Sequence, residues 1–285
     1  MSIHDWWAAG TMVPLRLSDT ERSIFVRSTG SGPTVTLLHG YPSCSHDWSA
    51  VADQLAGDHT LLMPDLLGFG ASDKPSPHAY SIHEQADLVE ALWAHHATTS
   101  TVLVAHDYSA TVAQELLARH AEERLSVRLT AVLLLNGGIY PDLHRPEPVQ
   151  TALLDPVQGP LVSAAMTREA MTQALRPTFA ADFDFQDAAD DIWAANTRGH
   201  VNIHDTISYI TDRRTHADRW VSALEGTGIP LSFVWGLLDP ISGAHMIERV
   251  HTNIPTAVVN ELGHVGHWPL IEAPEAVADA VRGLT

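Results

Sequence analysis

The chain has 285 residues, which allows one sizeable α/β domain with an insertion but not two ordinary enzyme domains side by side. Hydrophobic residues make up 45% of the sequence, a share typical of a globular protein with a proper core. Its formal charge of −18, from 34 acidic against 16 basic residues, makes nucleic acid and anionic membranes poor partners because like charges repel. These values favour a small, neutral organic substrate.

The single cysteine, Cys44, and the first residues of the chain bear on the compartment. One cysteine cannot form an intrachain disulfide, so nothing requires an oxidising environment. Residues 1–14 show no basic segment followed by an apolar stretch, so neither a signal peptide nor a membrane anchor is expected. We therefore expect a cytoplasmic protein, and the sequence leaves open whether it is a monomer or a homodimer.

Apolar runs of strand length alternate with amphipathic helical stretches along most of the chain. The strand candidates are residues 35–38 (VTLL), 61–63, 102–104, 132–135 (VLLL), 231–235 (LSFVW) and 257–259. This alternation predicts an α/β fold, with a mostly parallel central sheet and helices on both of its faces. Every run but the last leads into a loop rich in Gly, Asp, His or Asn, and in such sheets the functional groups lie on these loops.

Between residues 138 and 226 the strand pattern stops and the sequence becomes helical. Prolines mark the start of this segment: Pro141, Pro146, Pro148, Pro156 and Pro160. We interpret residues 138–226 as a helical cap, or lid, inserted into a core that consists of residues 1–137 and 227–285.

The run at residues 102–104 is followed by Asp107 and then by a helix, in the sequence VLVAHDYSATVAQ. A strained turn that exposes a nucleophile needs small residues two positions before and after it, and Ala105 and Ser109 meet that need around Asp107. A serine mechanism centred on Ser109 would place Asp107 and Thr111 at the small positions, which fits less well. The other alternative is that Asp107 only caps the helix.

This turn resembles the nucleophile motif of a known family. The order small residue, His106, Asp107, aromatic residue, small residue is similar to the motif of the epoxide hydrolase and haloalkane dehalogenase branch of the α/β-hydrolase fold family. Members of that branch use an aspartate as nucleophile.

The resemblance extends over nearly the whole chain. Two N-terminal segments resemble family signatures: His39-Gly40-Tyr41-Pro42 with Trp48, and residues 64–75 (PDLLGFGASDKP). The phrases HDYSATVAQELL and LNGGIYPDLHRP, together with residues 209–224, are closest to the mesoderm-specific transcript subgroup. That subgroup is better defined by its sequence than by its substrate.

An aspartate nucleophile requires an oxyanion hole. A carboxylate that attacks carbon forms an ester, and hydrolysis of that ester creates an oxyanion that needs two preorganised donors. The backbone N–H groups of Tyr41 and Tyr108 are the candidates, one in the loop after His39-Gly40 and one directly after the nucleophile.

The base and the orienting acid are expected late in the chain, because this fold supplies nucleophile, acid and histidine in that order. The run GHWPLIEAPEAV resembles the family's histidine loop and gives His267, rather than His264, the catalytic position. Asp239 follows the run LSFVW and would hold the imidazole of His267 in the right tautomer. Taken alone, Asp239 before Pro240 is equally typical of a turn.

A metal site is the other chemistry that two close histidines could indicate. Zinc needs at least a third ligand beside His264 and His267, and neither an HExxH motif nor a cysteine pair accompanies them. We therefore expect neither a metal nor a cofactor.

Hydrolysis of an epoxide to a diol is the first functional hypothesis that the resemblance implies. The family's epoxide hydrolases protonate the opened ring with cap tyrosines, and Tyr209 and Tyr140 are the candidates. Haloalkane dehalogenation comes second, because Tyr108 stands where that branch has a Trp and Tyr41 where it often has an Asn. Trp193 in the cap is then a candidate indole donor. An ester or lactone hydrolase and a catalytically silent small-molecule binding protein are the further alternatives.

Overall fold

The computed structural model describes residues 1–198 and 201–285. These residues contain the strands β1 (Thr11–Leu17), β2 (Thr20–Gly30), β3 (Thr34–Leu38), β4 (Thr60–Pro64), β5 (Ser100–His106), β6 (Arg128–Leu135), β7 (Leu231–Gly236) and β8 (Val258–Leu262). They form one sheet in the order β1-β2-β4-β3-β5-β6-β7-β8. Strands β3 to β8 pair in parallel, whereas β2 pairs antiparallel with both β1 and β4.

The six predicted strands correspond to β3 to β8 in chain order. Strand β8, at the edge of the sheet, is largely exposed. The central residues of β3 to β7 are buried on both faces of the sheet, as Val104 in β5 and Leu133 in β6 show. This burial explains why they appear in the sequence as continuous apolar runs.

The hairpin of β1 and β2 is not predicted by the sequence. Buried and exposed residues alternate along β1, where only Val13, Leu15 and Leu17 are buried. A half-exposed edge strand of this kind has no continuous apolar run, so the search for such runs overlooks it.

Helices of the core and of the region between β6 and β7 account for most of the remaining chain. The core helices are α1 (Ile3–Ala8), α2 (Ser49–Leu55), α3 (Ile82–His95), α4 (Tyr108–Ala121), α12 (Ala244–Asn253), α13 (Pro269–Glu272) and α14 (Pro274–Arg282). The intervening helices are α5 (Pro148–Leu154), α6 (Gln158–Ala164), α7 (Arg168–Leu175), α8 (Gln186–Thr197), α9 (Ile203–Thr206), α10 (Tyr209–Thr215) and α11 (Ala217–Gly226). Of the core helices, α3 packs against α4, and α2 packs against α14.

Residues 138–226, named here the helical insertion, carry α5 to α11. Trp220 on α11 is buried, and its indole N–H donates to Glu115 on α4 over 2.7 Å. Leu153 and Met171 of the insertion belong to the same hydrophobic cluster as the sheet. The predicted fold class, an α/β fold with a mostly parallel sheet and helices, is confirmed.

Among the helices of the described residues, none has the length and apolar character needed to cross a membrane.

Candidate active site

Asp107 lies between the last residue of β5 and the first residue of α4. Its backbone adopts φ 48° and ψ −105°, a conformation that residues other than glycine rarely take. The side chain makes no hydrogen bond to the start of α4, so Asp107 is not a helix cap. The turn instead directs the carboxylate away from the helix.

The neighbours of Asp107 explain how the chain makes this turn. Ala105 and Ser109 are fully buried, at the positions where the sequence predicts small side chains. The hydroxyl of Ser109 donates to the backbone C=O of His39 over 2.5 Å. Ser109 therefore has a structural partner on the neighbouring loop and does not occupy the nucleophile position.

His267 lies between two carboxylates. Its Nδ1 is 2.7 Å from Oδ2 of Asp239, and its Nε2 is 3.8 Å from Oδ1 of Asp107. All three side chains are buried, whereas His264 is exposed. The structure thus brings together the predicted nucleophile, base and acid, and it leaves His264 outside the group.

Asp239 is held by further donors. The side-chain amide of Asn136 donates to its Oδ2 over 3.0 Å, the hydroxyl of Ser242 over 2.7 Å, and the N–H of Ile241 donates to its Oδ1 over 2.8 Å. Burial opposes ionisation, but the charge of His267 and these donors hold the pKa of Asp239 well below its usual range. The acid is therefore a carboxylate that accepts from His267.

The carboxylates of Asp239 and Asp107 control the ionisation of His267. Burial disfavours the charged imidazole, but the charges of Asp239 and Asp107 outweigh this effect and raise the pKa of His267 to about 9. Because an ionised Asp239 can only accept, Nδ1 of His267 carries the proton of that hydrogen bond. Nε2 is left facing the carboxylate of Asp107.

The backbone N–H of Tyr41 donates to Oδ2 of Asp107 over 3.1 Å. One of the two predicted oxyanion donors therefore already points at the carboxylate. Tyr108 is the first residue of α4, where N–H groups have no acceptor within the helix. Its N–H follows the nucleophile directly, as the second donor requires.

Three motif residues pack around the turn at Asp107, namely His39, Gly40 and His106. Nδ1–H of His39 donates to the C=O of Gly40, and its Nε2 accepts from the N–H of Leu66. A Cβ on Gly40 would lie 2.7 Å from Nδ1 of His106 and 3.0 Å from Cβ of Asp107, so only glycine fits. Burial and the nearby charge of His267 lower the pKa of His106 to about 3, and this neutral ring donates to the C=O of His267.

A cavity of about 70 Å³ lies above Asp107 and His267. Its walls are mainly apolar side chains of the insertion, namely Val149, Leu153, Met166, Met171, Leu175 and Ile203. Glu147 and Gln150, at the start of α5, are polar exceptions that the sequence does not indicate. A cavity of this size and lining accepts a small, largely apolar molecule.

Tyr209, the predicted proton donor, is the first residue of α10 and is buried. Its ring centroid is 4.8 Å from that of Tyr108 and 5.8 Å from that of Tyr41, and the Arg213 guanidinium lies 4.7 Å from it. Burial, and then the charge of Asp107, raise the pKa of Tyr209. The ring of Tyr209 thus packs against the rings of Tyr41 and Tyr108, although Tyr209 is not among the residues that line the cavity.

Tyr140 and Trp193, the other candidate donors of the insertion, make contacts away from the cavity. The ring of Tyr140 packs 4.9 Å from the guanidinium of Arg249 on α12, and burial and then Glu225 raise its pKa. The chain turns the ring toward α12 after the two glycines of LNGGIY. Trp193, on α8, is half-buried against the hydrophobic core and does not line the cavity. Like Tyr209, both side chains are outside the group of residues that line the cavity over Asp107.

Within residues 1–198 and 201–285, no group of three or more His, Cys, Asp or Glu side chains could hold a metal ion. The polar groups around Asp107 are instead arranged as hydrogen-bonded neighbours of one another.

Comparison with known proteins finds matches over nearly the whole chain. Residues 37–280 match the family described as "Alpha/beta hydrolase family". A Mycobacterium tuberculosis protein named "Putative hydrolase LipZ" is 38% identical over 288 residues, which cover 99% of this chain and 98% of that protein. The human "Mesoderm-specific transcript homolog protein" is 36% identical over 293 residues, covering 99% of this chain and 87% of that protein.

Solved structures add a likeness of fold. The haloalkane dehalogenase DbeA-M1 loop variant of Bradyrhizobium elkanii superimposes with a TM-score of 0.75 at 19% identity, covering 96% of this chain and 95% of that one. The resemblance to the mesoderm-specific transcript subgroup is confirmed by the identities, and the dehalogenase structure supports the architecture alone.

Proposed function

Because the chain belongs to the alpha/beta hydrolase family, we propose that it is a hydrolase with an aspartate nucleophile, Asp107, which opens a small epoxide to a diol through a covalent ester. The observation that carries the proposal is the placement of a buried carboxylate, on a strained turn, at a cavity it shares with His267. A carboxylate in that position forms an alkyl ester with an electrophilic carbon. The same histidine can then activate water against that ester.

In the first step an oxygen of Asp107 bonds to a ring carbon of the epoxide while the bond from that carbon to the ring oxygen breaks. The electron pair of the broken bond goes to the ring oxygen, which takes a proton from the phenol of Tyr209. The position of Tyr209 beside Tyr41 and Tyr108 supports this role, and the guanidinium of Arg213 at 4.7 Å stabilises the resulting phenolate. The product of this step is a hydroxyalkyl ester of Asp107.

Ester formation removes the charge of Asp107, so the pKa of His267 falls and Nε2 releases to solvent the proton that it holds in the free enzyme at neutral pH. In the second step this neutral Nε2 takes a proton from water, and the hydroxide adds to the ester carbonyl. The N–H groups of Tyr41 and Tyr108 hold the oxyanion, and Asp239 stabilises the imidazolium. Collapse breaks the bond between the Asp107 carbonyl carbon and the substrate oxygen, which takes the proton from His267. The carboxylic acid left on Asp107 returns its proton to the phenolate of Tyr209, and His267 regains a proton from solvent once Asp107 is charged again, so that atoms and charges balance.

The substrate class follows from the cavity. Its apolar walls and its volume of about 70 Å³ favour a small neutral molecule, with water as the second reactant. The formal charge of −18 and the carboxylates of Asp107 and Glu147 at the cavity disfavour anionic substrates. The reaction as written uses no metal and no cofactor.

A haloalkane is the second candidate, and one observation favours it. Displacing a halide needs no proton donor, and the only tyrosine lining the cavity in the described residues, Tyr41, already donates its hydroxyl to the C=O of Ile203. Against it, Trp193 does not line the cavity, and the indole N–H of Trp268, which does line it, already donates to Thr178. Epoxide opening therefore remains the first proposal.

A single turnover in ¹⁸O-labelled water tests the nucleophile. Enzyme in excess over a terminal epoxide should give a first product whose new oxygen comes from Asp107, so that product carries no label. Heavy oxygen in that first product would contradict a carboxylate nucleophile. The same enzyme screened against short haloalkanes, with free halide as the readout, separates the two substrate classes.

His267→Gln supplies the second arm of the test. Without a base the ester should accumulate, and intact-protein mass spectrometry should show the enzyme heavier by the mass of the epoxide. His264→Gln is the matched control, because His264 is exposed and outside the group. Turnover of esters or lactones without an adduct would favour that alternative, and binding without turnover would favour a silent protein.

A further inference from the structure

Thr178, in the helical insertion, contacts the loop that carries His267. Its backbone C=O accepts the N–H of His267 over 2.7 Å, and its hydroxyl oxygen accepts the indole N–H of Trp268 over 2.9 Å. Thr178 is buried, and it ends a short 3-10 turn, Arg176–Thr178, that follows α7. The backbone of the base is thus hydrogen-bonded to the insertion.

Glu272, the last residue of α13, also links the histidine loop to the helical insertion. Its carboxylate accepts the backbone N–H of Gly266 over 3.1 Å, of Trp268 over 3.2 Å and of Ala180 over 2.9 Å. The first two belong to the histidine loop, and Ala180 belongs to the insertion. Hydrogen bonds to a carboxylate are stronger than those between neutral groups. The side chain of Glu272 therefore holds the histidine loop and the insertion together.

The two backbones approach closely at Gly266. A Cβ at this position would lie 2.4 Å from the C=O oxygen of Thr178 and 2.9 Å from the nitrogen of Ala180. The ring of Phe179 stacks on that of Trp268, with centroids 5.4 Å apart and planes 10° from parallel. The close approach therefore requires glycine at position 266 of the loop. The stacked ring of Phe179 adds an aromatic contact from the insertion.

We propose that Thr178 and Glu272 are positioning residues that clasp the helical insertion to the histidine loop, so that His267 is in place as a base only while the insertion covers the cavity. The catalytic part of this inference rests on the proposed function. If the insertion moves away to admit substrate, the N–H of His267 loses its acceptor and Glu272 loses Ala180. Water activation then belongs to the closed state, in which bulk solvent is excluded.

Glu272 also acts on His267 through its charge. The titratable groups around the imidazole are Asp107, Asp239, Glu272, His106 and His144. Burial lowers the pKa of His267, while Asp239, Asp107 and then Glu272 raise it. Neutralising Glu272 should therefore lower the pKa of His267. A residue that only held the loop in place would not have this effect.

The test compares Glu272→Ala and Glu272→Gln with Glu275→Gln, a control at an exposed carboxylate on the next helix. In the enzyme without substrate, we expect Glu272→Gln to move the NMR titration of His267 to lower pH. We expect Glu272→Ala to raise the hydrogen-exchange rate of the His267 amide at least tenfold. In single turnovers, Glu272→Ala should slow ester hydrolysis at least tenfold and leave ester formation unchanged.

Thr178→Val is a second variant, which keeps the proposal testable if the Glu272 variants fail to fold. It keeps the C=O that accepts from His267 but removes the acceptor of the Trp268 indole at nearly the same volume. Faster exchange of the His267 amide and slower ester hydrolysis are again expected, to a smaller extent. If both Thr178→Val and Glu272→Gln leave exchange, titration and ester hydrolysis as in the wild type, the clasp is overturned.

The two proposals fail in different ways. If the wild-type enzyme forms no ester with any epoxide or haloalkane, the proposed function is wrong, while exchange and titration of His267 still decide whether the clasp exists. If ester forms and only its formation slows in the Glu272 variants, the clasp has the wrong role.

Discussion

Nδ1 of His267 donates to Oδ2 of Asp239 over 2.7 Å, and this bond sets which nitrogen of the ring faces the nucleophile. Nε2 points toward Asp107, at 3.8 Å from Oδ1. The imidazole therefore lies close to two carboxylates. Under the proposed function one of them, Asp107, loses its charge when it is alkylated. We therefore expect the charge state of Asp107 and the basicity of His267 to be coupled.

The first prediction concerns the pKa of the base along the reaction. In the free enzyme the charges of Asp239 and Asp107 raise the pKa of His267 to about 9, so the ring is protonated at neutral pH. Ester formation removes the charge of Asp107, so we expect a lower pKa in the intermediate. NMR titration of the free enzyme and the pH dependence of single-turnover ester hydrolysis measure the two values. Equal values would contradict the coupling.

The second prediction concerns stability. In the unfolded chain the pKa of His267 has its ordinary value of 6.5, and in the folded protein it is raised to about 9. Its charged form therefore stabilises the fold below about pH 6.5, and this contribution is lost as pH rises toward 9. We expect the free energy of unfolding to fall between these values in the wild type. The fall should be absent in His267→Gln and retained in His264→Gln, as urea denaturation at each pH would show.

The strained turn at Asp107 gives the third prediction. A non-glycine residue at φ 48° and ψ −105° costs roughly 1–3 kcal/mol. Asp107→Ala and Asp107→Gly both remove the nucleophile, and only glycine relieves the strain. After the entropic cost of glycine, about 0.5–1 kcal/mol, we expect Asp107→Gly to exceed Asp107→Ala by about 1 kcal/mol in free energy of unfolding, with both variants inactive.

Ala105→Gly is the control for that comparison. Ala105 is buried in β5 and has no strain to relieve, so glycine there should destabilise the protein. Denaturation that finds Asp107→Gly no more stable than Asp107→Ala would show that the turn stores no strain.

The fourth prediction tests Asn136. This buried amide donates to Asp239 and to the C=O of Gly236, and its oxygen accepts the N–H of Gly236 over 2.7 Å. Asn136→Ala leaves these groups unsatisfied, at a cost of about 1–3 kcal/mol in stability. We also expect kcat to fall at least tenfold with KM little changed, because Asp239 orients the base rather than the substrate. Asn253→Ala, at an exposed residue, should change neither quantity.

Much of the sheet and of the group around His267 could be predicted from the sequence, for physical reasons. Strands buried on both faces must be apolar throughout, so β3 to β7 are visible as runs. Asp107 could be identified because a strained turn demands small neighbours such as Ala105 and Ser109. Its partners followed from the fixed order of loops at one edge of the sheet.

What could not be predicted depends on contacts between distant segments. Asn136 follows β6 directly, in a loop of the kind that carries function, but its hydrogen bond to Asp239 joins residues 103 positions apart. The link from Glu272 to Ala180 crosses 92 positions. Tyr140 shows the converse, because its place at the start of the insertion suggested a role at the cavity. The direction in which its ring turns depends on packing against Arg249.

The fifth prediction separates Tyr209 from the other tyrosine proposed as a donor. Opening an epoxide creates an alkoxide that needs a proton, whereas a departing halide does not. We therefore expect Tyr209→Phe to lower the rate of ester formation from a terminal epoxide by about 10²-fold or more, within the usual range for a general acid. Ester formation from a short haloalkane, where it occurs, should change little. Tyr140→Phe, which removes a hydroxyl beside Arg249 and away from the cavity, should leave both rates unchanged. Equal losses with both substrates in Tyr209→Phe would show that the ring only packs against Tyr41 and Tyr108. The proton for the opened ring would then have to come from another group at the cavity.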